Sequence, residues 1–240
     1  RRLVGSEMCI RDRLEGIFGI STNTFDSEGE IVSKSNFDHV RKEDLNSLLN
    51  EFKIKYIQEA PIYSALKVNG KKMYDLARKG IKVNPKKREV KLHDFEIIHF
   101  EKPNFRIKIL CSKGFYVRSL VNDIGIKLGT HAYLYSLVRT RSSGFEINTS
   151  YEIDEIKYQI QNGNIDKLIT PISELLKNTF AVNLDEIKSK KILNGNKLEM
   201  FIKEIKNNDK LLIYENESSL IAIGEYLNGY VVPLKVVPHD

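Results

Sequence analysis

An aromatic hydroxyl and a guanidinium lie two residues apart at Tyr116 and Arg118, within the segment Ser112–Leu120. An alternating apolar run precedes this segment and helical periodicity follows Gly114, which predicts a strand-to-helix junction. Such a junction can direct side chains from two rigid elements toward one ligand. The guanidinium could pair a buried carboxylate through two parallel hydrogen bonds, because it does not titrate. The phenol could stack on, or hydrogen-bond to, a planar base.

A purely structural interpretation of the same residues stays open. Arg118 could pair a structural carboxylate such as Asp123, and Tyr116 could be a half-buried aromatic residue beside the helix. On residue types alone this alternative is favoured, because most ion pairs and tyrosines in proteins have no catalytic role.

Positive charge is concentrated in residues 53–91. This stretch holds 12 lysines and arginines against three acidic residues, a net charge of +9, whereas the whole chain carries +6. A basic segment on a near-neutral body favours a polyanionic partner, because phosphate neutralisation supplies most sequence-independent affinity for nucleic acids. The alternative is a solvated, lysine-rich surface. Within the stretch, Tyr63 and Lys67 could line a groove for phosphates and bases, or belong to a surface hairpin.

The composition limits the class of protein. At 240 residues, with 41% hydrophobic and 29% charged side chains, the chain is long enough for one or two globular domains. Apolar runs of membrane-spanning length are absent, so we expect a cytoplasmic protein without a membrane partner. Cys9 and Cys111 have no disulfide or zinc-site spacing, and the histidines form no metal-binding pair, so we expect neither metal nor organic cofactor.

Hydrophobic periodicity predicts an α+β fold, a mixed sheet with packed helices followed by a small β-rich domain. The predicted helices are 44–52, 71–79 and 117–128, with two further helical stretches in 151–178. The predicted strands are 90–100, 105–111 and 132–141, and short apolar runs from Phe180 onward indicate the β-rich domain. Residues 4–13 have neither helical nor strand periodicity.

Two stretches resemble bacterial tRNA pseudouridine synthases of the TruB family. They are Tyr63–Gly80, which begins Tyr-Ser-Ala-Leu-Lys, and Cys111–Gly125, which contains Ser-Lys-Gly-x-Tyr-x-Arg. The similarity continues through Leu128–Phe145, and weakly into a C-terminal part similar to the small RNA-binding PUA domain. The resemblance implies a catalytic domain at 14–178, incomplete at its N-terminal edge, and a PUA-like domain at 179–240.

The resemblance also implies roles for five residues. Arg118 would be the counter-ion of a nucleophilic aspartate, Tyr116 and Leu137 would contact the target uracil, and Tyr63 and Lys67 would bind RNA. The implied reaction converts the uridine at position 55, in the T-loop of tRNA, to pseudouridine. It needs no cofactor, metal or guide RNA, and the implied enzyme is a monomer that binds the T-arm of tRNA.

The family's nucleophilic aspartate belongs to a Gly-x-Leu-Asp segment that these 240 residues do not contain. We interpret residues 1–13 as a non-native segment that stands where part of the catalytic domain should be, so we expect the chain as given to be inactive. The main alternative is a non-catalytic RNA-binding protein. A guide-RNA-dependent relative of the archaeal and eukaryotic type is a further one.

Overall fold

The computed structural model of the protein describes residues 9–64, 66–68, 70–78, 85, 87–171, 176, 179–216 and 219–237. The chain forms two compact units, Met8–Thr149 and the residues from Ser150 onward. Among the described residues, no helix combines the length and the apolar character that crossing a bilayer requires.

Among the described residues, the first unit contains three α-helices and eleven strands. The helices are α1 (Lys42–Ile54), α2 (Met73–Arg78) and α3 (Val117–Lys127). The strands are β1 (Ile10–Phe18), β2 (Ile20–Thr22), β3 (Ile31–Lys34), β4 (Tyr56–Glu59), β5 (Lys67–Val68), β6 (Lys71–Lys72), β7 (Lys87–Val90), β8 (Leu92–Glu101), β9 (Asn104–Cys111), β10 (Ala132–Ser142) and β11 (Phe145–Glu146).

Five of these strands form one antiparallel sheet in the order β11-β10-β1-β9-β8. Successive side chains on a strand point to opposite faces, and the alternating positions Leu14 and Phe18 of β1 are buried with Ile107 and Ile109 of β9. Helices α1 and α3 contribute buried residues to the same core, among them Leu45, Leu49, Leu120 and Ile124. Each helix therefore packs against the core of the unit through an apolar stripe that repeats every 3.6 residues.

Helix α3 approaches strand β10 closely at Gly125. A Cβ atom at this glycine would lie 2.4 Å from the backbone nitrogen of Ala132 and 2.7 Å from the carbonyl carbon of His131. Only a residue without a side chain permits this approach. The close contact fixes the position of the helix that carries Arg118.

A separate two-stranded ribbon lies beside the N-terminus of α3. It pairs β4 with β7 in antiparallel register, and Gln58 stands directly opposite Arg88. The side chain of Ser119 in α3 donates a hydrogen bond to the Glu59 carbonyl at 2.7 Å. This hydrogen bond attaches β4, and with it the ribbon, to the start of α3.

The second unit is built around a mixed five-stranded sheet. Its helices are α4 (Ile153–Gln161) and α5 (Glu186–Leu193), and its strands are β12 (Phe180–Leu184), β13 (Leu198–Glu199), β14 (Lys210–Glu215), β15 (Ser219–Leu227) and β16 (Tyr230–Val236). The strand order is β12-β14-β15-β16-β13, and the β12–β14 pair is parallel. Ile192, Leu211, Ile213 and Ile221 are fully buried between α5 and the sheet.

The α+β class, the helices at 44–52 and 117–128 and the strands at 105–111 and 132–141 are confirmed. The lack of strand periodicity at residues 10–13 did not indicate their structure. They begin β1, because β9 and β10 supply hydrogen-bond partners on both sides. The interpretation of residues 1–13 as non-native stays a prediction. The helix predicted for 71–79 begins later, at Met73, because Lys71 and Lys72 form β6, and residue 79 lies outside the described residues. The predicted division at 178/179 remains a functional prediction.

Candidate functional site

Arg118 lies in the first turn of α3, where its guanidinium reaches three chain segments at once. Its Nη1 atom donates to Asp26 Oδ2 at 2.9 Å and to the Thr24 carbonyl at 3.3 Å. Its Nη2 atom donates to the Tyr63 carbonyl at 2.9 Å. The side chain is 26% exposed. Arg118 therefore joins the loop after β2 to the segment that leads into β5, and its side chain stays partly exposed.

The carboxylate of Asp26 has partners for both oxygens. Oδ2 accepts from Arg118, and Oδ1 accepts from the Thr24 hydroxyl at 2.5 Å and from the Glu28 backbone N–H at 3.2 Å. The Thr22 hydroxyl in turn donates to the Asp26 carbonyl at 2.7 Å. An aspartate bound in this way is held as an acceptor, so Asp26 is suited to orienting Arg118 rather than to attacking a substrate.

The loop that carries Asp26 is attached to β10. The Leu134 N–H donates to the Phe25 carbonyl at 2.9 Å, and Asp26 forms an isolated parallel bridge with Leu134. Leu137, the predicted uracil contact, lies three residues further along β10, opposite Leu14 of β1, and its side chain is 41% exposed. Leu137 is thus on a strand tied to the Arg118 site, and it is accessible.

Tyr116 is the N-cap residue of α3, and its own side chain makes no capping bond. Its backbone N–H donates to Gln58 Oε1 at 2.9 Å, and its carbonyl accepts from Gln58 Nε2 at 2.9 Å. The Arg88 guanidinium carbon lies 4.8 Å from the centre of the Tyr116 ring. Tyr116 and Arg118 therefore both lie at the start of α3, where the Tyr116 ring contacts Arg88 and the Arg118 guanidinium contacts Asp26. Their roles toward a substrate stay predictions.

The remaining two predicted residues are placed differently. Tyr63 contributes its backbone carbonyl to Arg118, a contact that its residue type does not explain. The backbone of Lys67 belongs to β5, and its side chain lies outside the described part of the structure. Much of the remaining basic segment, including 79–84, is likewise outside it.

Asp123, the carboxylate that the sequence suggested as a structural partner of Arg118, is not that partner, although Arg118 does pair a carboxylate, that of Asp26. The Tyr56 hydroxyl donates to Asp123 Oδ2 at 2.7 Å, while Arg118 pairs Asp26. Burial raises the pKa of Asp123 above its ordinary value, and it also raises the pKa of Tyr56. Asp123 and Arg118 lie on the same helix but belong to separate pairs. Asp123 therefore does not occupy the Arg118 guanidinium.

A second ion pair joins β1 to β10. Arg139 donates from Nε and Nη2 to the two oxygens of Asp12, at 3.0 and 3.1 Å, and Asp12 is completely buried. The hydrogen bond to Asp12 raises the pKa of Arg139. Burial, together with the Asp12 carboxylate, raises the pKa of the nearby Cys111 thiol to about 12. Arg139 therefore braces the sheet.

Sequence reasoning missed three residues of this arrangement. The sequence analysis gives no role to Asp26, Gln58 or Arg88. All three lie between 26 and 92 residues from the groups that they contact, so no local periodicity marks them. Among the described residues, no group of histidine, cysteine, aspartate and glutamate side chains could hold a metal ion.

Comparison with known proteins places this geometry in a family. Residues 13–117 match the model of the TruB family pseudouridylate synthase N-terminal domain, and residues 118–177 match that of the tRNA pseudouridylate synthase B C-terminal domain. Solved structures share the fold. The chain resembles a protein in a Cbf5-Nop10-Gar1 complex with a TM-score of 0.64 and 18% identity, covering 96% of this chain and 66% of that one.

Curated relatives named tRNA pseudouridine synthase B are more similar in sequence. The protein from Clostridium tetani is 34% identical over 86% of this chain and 71% of its own length. Those from Bacillus subtilis and Caldanaerobacter subterraneus are 36% and 38% identical, over 85% and 89% of this chain and 69% and 72% of their own lengths. With both family models and these relatives in agreement, the chain belongs to the TruB family of pseudouridine synthases.

Proposed function

We propose that the parent enzyme of this chain isomerises uridine to pseudouridine in tRNA, at the T-loop uridine, and that it works in the cytoplasm as a monomer. The observation that carries the proposal is the guanidinium of Arg118, fixed by Asp26 beside Tyr116 at the start of α3. Relatives that are 34–38% identical and bear the name tRNA pseudouridine synthase B support the choice of substrate.

Each residue then has a defined task. The reaction needs an ionised aspartate inside a closed pocket, and a buried carboxylate stays ionised only beside a compensating charge. The described residues accept no hydrogen bond from Arg118 Nε, and the Arg118 side chain stays partly exposed, so a second carboxylate could pair it. Tyr116 and Leu137 would hold the extruded uracil while it detaches, turns and rejoins through carbon.

We propose that the nucleophile comes from a Gly-x-Leu-Asp segment outside these 240 residues. Asp26 and Asp12 do not substitute for it, because the oxygens of each are engaged by an arginine and, for Asp26, by two further donors. We propose that residues 179–240 form a module that adds affinity for RNA, and that Tyr63 and Lys67 contact the T-arm.

The test compares two proteins on an unmodified tRNA transcript. One is the 240-residue chain, and the other carries the N-terminal segment of the Bacillus subtilis relative in front of Leu14. We expect the chimera to convert one T-loop uridine without added metal or guide RNA, and the 240-residue chain to bind without turnover. Chemical mapping of pseudouridine decides: conversion only at another site, or only with a guide RNA, would contradict the proposal.

A non-catalytic RNA-binding protein is the second candidate, and the positive charge concentrated in residues 53–91 supports it. Both candidates bind tRNA with steep salt dependence, because phosphate contacts release counterions. Turnover by the chimera separates them. If the chimera binds tRNA but leaves every uridine unchanged, the binding function is the better description.

A further inference from the structure

The ribbon of β4 and β7 presents two side chains to a single residue, Tyr116. Gln58 and Arg88 are direct cross-strand neighbours, so their side chains leave the ribbon on the same face. Gln58 holds the backbone of Tyr116 at both its N–H and its carbonyl, and Arg88 covers the ring. One cross-strand pair therefore controls both the main chain and the aromatic face of this tyrosine.

Gln58 makes a demanding contact. It is completely buried, and its amide donates and accepts at 2.9 Å in the manner of a neighbouring strand. A Tyr116 backbone held at two points cannot rotate without breaking a buried hydrogen bond, and a buried polar group left without a partner is costly. The Tyr116 side chain makes no capping bond. Gln58 therefore fixes the backbone position from which the Tyr116 side chain extends.

Arg88 is held by contacts that leave part of it unsatisfied. Its Nη2 atom donates to the Gly114 carbonyl and its guanidinium lies over the Tyr116 ring, but its buried Nε has no hydrogen-bond partner among the described residues. Arginine stacks on aromatic faces through its planar, weakly hydrated group. A buried donor without a partner does not stabilise the fold. The stacking of the planar guanidinium on the Tyr116 ring is therefore the contact that requires an arginine at this position.

We propose that Gln58 and Arg88 are positioning residues that fix the ring of Tyr116 for contact with the extruded uracil. This rests on the proposed function only through the role of Tyr116 toward the base. Arg88 covers one face of the ring, and Tyr116 stays partly exposed. Changing either residue lowers the rate of the chemical step and leaves tRNA affinity nearly unchanged.

The first experiment needs no activity and uses the 240-residue chain with isotope-labelled tyrosine. Tyr116→Phe identifies the ring signal of Tyr116 in the NMR spectrum. We expect Gln58→Leu and Arg88→Lys to move that signal. The matched control is Ser119→Ala, which removes another buried side-chain bond between α3 and β4, at 2.7 Å, without touching Tyr116. An unmoved signal in both variants, or an equal shift in the control, overturns the proposal.

The second experiment measures single-turnover rate and tRNA affinity in the chimera described above. Arg88→Met, which keeps the apolar stem, should slow the chemical step roughly 10- to 100-fold, as a displaced contact group does. In a Tyr116→Ala background the same change should matter less than about twofold, because Arg88 acts through that ring. Equal effects in both backgrounds overturn the proposal.

Two further comparisons separate positioning from a loss of folding and from failure of the proposed function. Circular dichroism melts of Arg88→Met and Gln58→Leu check folding, and Gln58→Glu, which keeps the acceptor for the Tyr116 N–H, should retain more rate than Gln58→Leu. If Gln58→Leu fails to fold, Arg88→Met carries the test. An inactive chimera contradicts the proposed function, whereas the NMR result decides the positioning role independently.

Discussion

The Nη1 atom of Arg118 lies 2.9 Å from Oδ2 of Asp26, although 92 residues separate them in the chain. Thr24 and the Glu28 N–H hold the other oxygen of Asp26, so the carboxylate has one orientation. The pair has a fixed position in the site, because the loop that carries Asp26 is hydrogen-bonded to β10 and Arg118 belongs to α3.

Replacing Asp26 with Asn should slow the chemical step of the chimera roughly 10- to 100-fold, because the guanidinium loses its charged partner and its fixed direction. Affinity for tRNA should be unchanged or slightly higher, since a negative charge is removed. Single-turnover rate and filter binding give the two numbers. Glu28→Gln removes the same charge from an exposed side chain of the same loop and should be silent. Equal loss in both variants would assign the effect to loop charge.

Arg118→Ala should reduce the single-turnover rate roughly 1,000-fold or more, because the nucleophilic carboxylate would be left buried without a partner and would take up a proton. Arg118→Lys should lose at least about 100-fold, since one ammonium cannot bind Asp26 and the Tyr63 carbonyl as the planar fork does. Arg106→Lys, at an exposed pair with Glu15, is the control. A near-normal rate for Arg118→Ala would mean that the pocket is elsewhere.

Ending the chimera after residue 178 removes β12 to β16 and α5. If this module adds affinity rather than chemistry, KM for tRNA should rise more than kcat falls, the pattern of lost uniform binding. Steady-state kinetics on one transcript measures both constants. A large fall in kcat at unchanged KM would refute this division of labour, and a melt of the truncated protein confirms that it remains folded.

Asp123 should make stability depend on pH in the direction opposite to most aspartates. Burial raises its pKa above 3.8, so the folded state binds this proton more tightly than the unfolded state. Its contribution is fully present below pH 3.8 and is lost as the pH rises through the folded pKa. Asp123→Asn should remove that loss. Urea unfolding across this range measures it.

Asp94 provides the contrast for this measurement. Its hydrogen bond with Lys53 lowers its pKa, so its contribution is present above pH 3.8 and is lost as the pH falls through the folded pKa. Asp94→Asn should therefore change stability mainly at neutral pH, and with the opposite sign. If the free energy of unfolding of the two variants depended on pH in the same direction, the predicted contrast between Asp123 and Asp94 would be wrong.

Gly114→Ala should destabilise the first unit more than Gly144→Ala. Both glycines have left-handed backbones, with φ of +83° and +93°, so both substitutions cost about 1–2 kcal/mol. A Cβ at Gly114 would also lie 3.2 Å from Arg88 Nη1, whereas nothing lies within 4 Å at Gly144. Urea unfolding gives the difference. Equal losses would mean that the Arg88 guanidinium moves freely.

Local periodicity predicted the elements whose burial is decided by their own residues. The apolar stripe of α1 and the alternation of β9 each face one core, so their patterns are plain in the sequence. Ile10–Arg13 carry no such pattern, because Asp12 is buried through its pair with Arg139 rather than through hydrophobicity. A buried charge whose partner is 127 residues away cannot be read from a local window.

The candidate site divides in the same way. Tyr116 and Arg118 are neighbours in the sequence, and the family resemblance gave them roles. Asp26, Gln58 and Arg88 reach them only through the tertiary fold, by way of a loop and a two-stranded ribbon. Their importance comes from the cross-strand register and from hydrogen bonds, which no single-sequence pattern specifies.

The place of β1 in the sheet also bears on how the protein is made. This strand precedes both of its neighbours in sequence, yet it lies between β9 and β10, which end at Cys111 and Ser142. The ribosome therefore synthesises β1 long before either neighbouring strand. Both hydrogen-bonding edges of β1 stay unpaired until those strands have been made. Pairing over such distances folds slowly and leaves strand edges open to aggregation. The complete sheet can therefore form only after β10 and β11 have been synthesised.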